Sequence, residues 1–156
     1  MFVNLTFNDR VKKETESELK NLRGLCEKFG EKDLTVFGQY TFDVVQTEKL
    51  SNKMIAKQLN SLGLVDEKGL SSIPNFKFLE KVDLNGSEMH ELFKFLKRNS
   101  PNLFVPRYGM AQHIYDYHIK ILCNRYGEVK KQYGANADYA IIENDIRELL
   151  KEEYKL

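Results

Sequence analysis

A chain of 156 residues, 42% hydrophobic and 30% charged, has the makeup of a globular domain with a sizeable core, outside the disordered and disulfide-stapled classes. Its 24 basic and 23 acidic residues nearly cancel, which removes any global field that would draw it to nucleic acid or anionic lipid. The two cysteines, Cys26 and Cys123, form neither a CxxC pair nor a zinc-ligand spacing. No run approaches the ~18 apolar residues of a membrane span, and the opening "MFVNLTFNDR" lacks a basic segment followed by a long apolar one. The expectation is one domain over 1–156 in a reducing, cytoplasmic setting, with no nucleic-acid partner and no membrane span.

The first element, "FVNLTFNDR" from Phe2 to Arg10, reads as a short strand running into charge and then into a helix. In α/β proteins, ligands and reactive groups gather at the carboxyl end of such a strand. "ETESELKNLRGLCEKFG" puts Leu19, Leu22, Cys26 and Phe29 at three- and four-residue steps, the pattern of an amphipathic helix. Gly30 suits its C-cap, because glycine enters the left-handed region without a Cβ clash. "DLTVFGQY", rich in β-branched and aromatic residues, is a second strand. "SNKMIAKQLNSLG" is a second helix, with Ser51 as N-cap and Met54, Ile55, Leu59 and Leu62 on one face.

Beyond the loop "GLSSIPN", "FKFLEKVDLNG" alternates Phe76 and Phe78, then Val82 and Leu84, ahead of an Asn-Gly turn signal, and makes a third strand. "SEMHELFKFLKRNSP" predicts a third helix that starts near Ser87 and ends before Pro101, with Met89, Leu92, Phe93 and Leu96 on its apolar face. "HIYDYHIKILCNRYGEVKKQYG" divides at "NRYG" into the two halves of a hairpin, and "YAIIENDIRELLKEEYK" is an amphipathic terminal helix. This order implies an α/β domain with helices layered on a small mixed sheet. The basic residues of "VKKETESELK" and "KFLKRN" read as solvated helix faces. His90, His113 and His118 form no HExxH pattern or close ligand pair, so no zinc site is expected.

The stretch "IPNFKFLEKVDLNGSEMHELFKFLKRNSP" resembles the central segment of glutathione peroxidases, where Pro-Asn-Phe precedes a "FEKVDVNG"-like strand and a helix ending in "FLK". "DLTVFG" is similar to that family's second strand, and Glu48, Asn52 and Ile55 fall where its "QEPGxNxEI" motif has the same residues. "NRYGEVKKQYG" and "IENDIRELL" resemble its carboxyl end, and "FVNLTF" its "VNVAS" strand. The likeness is collinear over almost the whole chain, without the amino-terminal hairpin that precedes "VNVAS" in the family. It implies a thioredoxin-like fold and thiol-dependent reduction of hydroperoxides, with glutathione or thioredoxin as reductant wherever activity persists. Several tetrameric family members carry a long insertion before the "WNF" strand, where this chain has only the short "NLFVPRYGMAQH", which implies a monomer.

In the family a selenocysteine or cysteine anion stands at the end of the first strand, with glutamine, tryptophan and asparagine donating hydrogen bonds to it. Carried over in register, the nucleophile position is Asp9, the glutamine falls at Asp43, and the tryptophan and asparagine of "WNFxKFL" fall at Asp116 and Tyr117. Only Lys120 and Leu122 keep that last motif; a short register slip brings Gln39 or Gln46 near the glutamine position. A carboxylate cannot cycle through a sulfenic or selenenic state. The resemblance therefore implies a catalytically silent homologue with no cofactor, acting as a binding or regulatory module. One alternative keeps peroxidase activity in the oxidative-stress response and assigns the nucleophile to Cys26 or Cys123. Both read from the sequence as core or rim residues, and "KMIAKQLNSLGLVDEK" contains no resolving cysteine. The other alternative has Asp9, Asp43 and Asp116 converge as hard oxygen ligands for Mg²⁺ or Ca²⁺, against a reading of three solvated acids.

Overall fold

A computed structural model describes residues 1–6, 11–41 and 51–153. In chain order the elements are β1 (Phe2–Leu5), α1 (Lys12–Phe29), β2 (Val36–Thr41), α2 (Asn52–Ser61), β3 (Phe76–Val82) and α3 (Glu91–Asn99). The short strands β4 (Phe104–Val105) and β5 (Met110–Ala111), the hairpin β6 (Lys120–Cys123) and β7 (Val129–Tyr133), and α4 (Tyr139–Glu153) follow.

The main sheet has the order β3-β2-β1-β6-β7. β1, β2 and β3 are parallel, joined by the helical crossovers α1 and α2, while β6 runs antiparallel to β1 and pairs Phe2 with Ile121 and Val3 with Lys120. Successive side chains of a strand point to opposite faces, so each strand feeds two cores. Val3 and Leu5 of β1, Val36 of β2 and Leu122 of β6 pack with Leu19, Leu22 and Cys26 of α1, Ile55 and Leu59 of α2, and Ile142 and Ile146 of α4. Ile121 and the partly buried Phe2 face the other way and pack with Leu84 and with Phe93 and Leu96 of α3. Helices thus cover both faces. Leu22 and Leu96 are wholly buried, each worth about 1.5–3 kcal/mol of transfer free energy.

Gly38 is required where β2 runs between its neighbours. A Cβ there would stand 2.9 Å from Leu5 Cδ1 and 3.3 Å from both Phe76 and Phe78. Gly30 ends α1 at φ 73°, its N–H bonded to the Cys26 carbonyl, as the sequence predicts. Ser51 caps α2, its hydroxyl accepting the Met54 N–H.

Several expectations are corrected. The third helix begins at Glu91, with His90 Nδ1 accepting the Leu92 N–H as its cap, whereas Ser87 lies in a turn. The turn is held because Asn85, buried beside it, exchanges two hydrogen bonds with the backbone of Ile114. Met54 and Leu62 are exposed rather than packed, since only Ile55 and Leu59 of α2 face the sheet. The first arm of the hairpin begins only at Lys120, because His118 adopts a left-handed φ of 55° that breaks the extended run. Lys97 of "KFLKRN" is buried, not solvated; its Nζ donates to Asn85 Oδ1 at 2.9 Å. Glu18 of "ESELK" is buried as well.

Candidate functional site

The carboxyl end of β1 meets the amino end of α1 and the corner 116–118 that leads into β6. Two side chains organise the meeting. Asn4, buried in β1, donates Nδ2–H to the Asp116 carbonyl at 2.9 Å and accepts the Ile119 N–H on Oδ1 at 2.7 Å, while its own carbonyl accepts the His118 N–H at 2.9 Å. The backbone of the corner is thereby hydrogen-bonded to the strand.

Thr15, in the first part of α1 and fully buried, is the second organiser. Its Oγ1 lies 2.5 Å from the Thr6 carbonyl, 3.0 Å from the Val11 carbonyl and 2.9 Å from His118 Nε2. Thr6 and Val11 flank residues 7–10, so one hydroxyl joins both flanks of that stretch to the corner. A hydroxyl has a single proton. The shortest contact assigns it to Thr6, so Nε2–H of a neutral His118 donates to Thr15 Oγ1. Burial, with Lys120 next in effect and Glu14 opposing, pulls His118 down to about 4, in keeping with that neutral form.

Of the positions singled out from the sequence, Asp116 and Tyr117 sit on this corner, Asp116 exposed and Tyr117 half-buried against the α3-side core. Asp9 and Asp43 lie outside the described residues, as does Gln46. Gln39 is placed: it is buried in β2 and its amide donates to the Glu80 carbonyl of β3, so it is committed within the sheet.

Both thiols lie far from this corner. Cys26 is near the carboxyl end of α1, roughly 16 Å along the helix axis from Thr15 at 1.5 Å per residue. It is buried, with Sγ 3.6 Å from the Asn75 carbonyl, and burial pushes it up to about 12. Cys123 ends β6, which runs antiparallel to β1, so it stands at the amino end of β1. It lines a cleft of about 660 Å³ there with Phe2, Phe37, Leu122 and Leu149, and burial raises its pKa too. No cluster of three His, Cys, Asp or Glu able to hold a metal occurs among the described residues. No helix among them is long and apolar enough to cross a membrane.

Thr15 and His118 were not legible as site residues from motifs. A signal for Thr15 exists all the same: it falls on the face of Leu19, Leu22 and Cys26, where a hydroxyl needs a partner.

A three-stranded parallel unit extended by an antiparallel hairpin, with helices on both faces, is thioredoxin-like architecture. A crystal structure of Trgpx in apo form shares it, with a TM-score of 0.58 and 20% identity, covering 96% of this chain and 78% of that one. The hydroperoxy fatty acid reductase gpx1 of Synechocystis sp. is 31% identical over 142 residues, spanning 85% of this chain and 73% of the relative. The glutathione peroxidase homolog BsaA of Halalkalibacterium halodurans is 36% identical over 76 residues, 49% of this chain and 45% of the relative. No family model matches the sequence. The chain belongs to the glutathione peroxidase family.

Proposed function

We propose that this chain is a catalytically silent glutathione peroxidase homologue, acting as a monomeric binding or regulatory module. The observation that carries the proposal is the placement of its two thiols: Cys26 is sealed in the core and Cys123 stands at the amino end of β1, while the corner at the carboxyl end presents Asp116 and Tyr117. A thiol peroxidase needs an accessible thiolate with a lowered pKa, and burial acts on both cysteines in the opposite direction.

The expected result of native-state alkylation is no measurable reaction at Cys26 and slow reaction at Cys123, increasing only in alkaline solution, with unfolded protein reacting at both. A rate that reaches half its maximum below pH 7 at either thiol contradicts the proposal. Exposure to one equivalent of hydrogen peroxide is expected to leave the intact mass unchanged.

The runner-up assigns peroxidase chemistry to Cys123, favoured by its position in a cleft. Its substrate class would be a fatty-acid hydroperoxide, as the name of the Synechocystis relative suggests. Asp116 is exposed and reads as a solvated acid. Millimolar Ca²⁺ or Mg²⁺ is therefore expected to leave the melting temperature unchanged; a rise abolished by Asp116→Asn supports a cation site instead.

A further inference from the structure

We propose that the contact between His118 and Thr15 is an acid-sensitive latch, which holds the 116–118 corner and both flanks of residues 7–10 together when closed and frees the corner on acidification. The geometry is a small hinge. His118 occupies a left-handed backbone conformation in which non-glycine residues are uncommon, and its N–H and that of Ile119, the last residues before β6, are the amides that Asn4 holds. Its ring donates Nε2–H to Thr15 Oγ1, and that hydroxyl donates in turn to the Thr6 carbonyl.

A second proton on the ring creates a buried cation. Among the described residues, the charges acting on it are Lys120 of β6, which repels it, and Glu14 of α1, which attracts it more weakly. Lys120 is held in place by Glu18, so the repulsion is built in. Beside the imidazole stands the ring of Tyr117, 6.2 Å away between centroids. The charged ring is better solvated outside, and leaving means giving up Thr15.

The sign follows from linkage. An exposed His118 titrates near 6.5 and the closed one near 4, so the open form binds more protons between those values and gains population as pH falls through that window. From pH 7.0 to pH 4.5 the opening constant rises on the order of 50-fold. Above pH 7 the latch stays shut.

The test is hydrogen exchange of the His118 and Ile119 amides, corrected for intrinsic rates, at pH 7.0 and pH 4.5, with α4 as the internal reference. Wild type is expected to lose on the order of 50-fold protection at the corner alone. His118→Phe, which cannot take up a proton, is expected to show the same protection at both pH values. Equal protection of the wild-type corner at both pH values overturns the latch, and so does a loss shared equally with α4. Should His118→Phe fail to fold, NMR titration of the wild-type imidazole decides: a midpoint below pH 5 agrees, and one at or above 6.5 overturns it.

Discussion

Glu18→Ala is expected to destabilise the protein by about 3–5 kcal/mol, the cost of leaving a buried cation without its counter-charge. Lys120 Nζ lies 2.7 Å from Glu18 Oε1, with side chains 0% and 7% exposed. The ammonium also points at the carbonyls of Ala135 and Gly134, at 3.2 and 3.4 Å, and sits 5.4 Å from the centroid of the Tyr139 ring. Tyr139 donates its hydroxyl to Glu18 Oε1 at 2.7 Å, and burial together with Glu18 keeps that phenol protonated. One carboxylate therefore ties α1 to β6 and to the start of α4.

For a domain of this size each kcal/mol lost at the transition lowers Tm by about 2–4 °C, so Glu18→Ala is expected to melt roughly 10–15 °C lower. Glu18→Leu combined with Lys120→Met tests the cause. Removing both charges while filling the space is expected to recover most of the loss, because a buried ion pair gains little over a packed apolar pair. Urea unfolding of Glu18→Ala and of the double variant measures both effects. A loss below about 1 kcal/mol for Glu18→Ala contradicts this account of the pair.

Much of the framework can be read directly from residue periodicity. Leu19, Leu22 and Cys26 mark the buried stripe of α1, Ser51 announces α2, and "NRYG" separates β6 from β7, because each rests on local chemistry that the rest of the fold leaves undisturbed. Where the sequence misleads, long-range partners decide. His90 displaces Ser87 as the cap because Asn85, bonded to Ile114, holds the preceding turn out of the helix. Lys97 looks like surface charge and is buried because Asn85 waits for it across the α3-side core. At the corner, Asp116 lies beside β1 because its carbonyl accepts from Asn4. Thr15 and His118 are separated by 103 positions, and no local pattern in the sequence signals their contact.

The central claim concerns chemistry at the end of β1. Glutathione peroxidase turnover begins with an anion of sulfur or selenium attacking the terminal oxygen of a hydroperoxide. This breaks the O–O bond, forms a sulfenic or selenenic acid and releases the alkoxide (hydroxide from hydrogen peroxide), and an aspartate side chain has no comparable redox cycle. Loss of a covalent nucleophile costs on the order of 10⁶-fold in rate where it has been dissected in other enzymes. The most direct measurement is steady-state consumption of hydrogen peroxide and of a fatty-acid hydroperoxide by the purified chain, with glutathione or thioredoxin as reductant. The rate is expected to match the buffer control and to be unchanged in Cys26→Ser and Cys123→Ser. Turnover well above the control, abolished by either serine variant, contradicts catalytic silence and moves the reactive centre to that thiol.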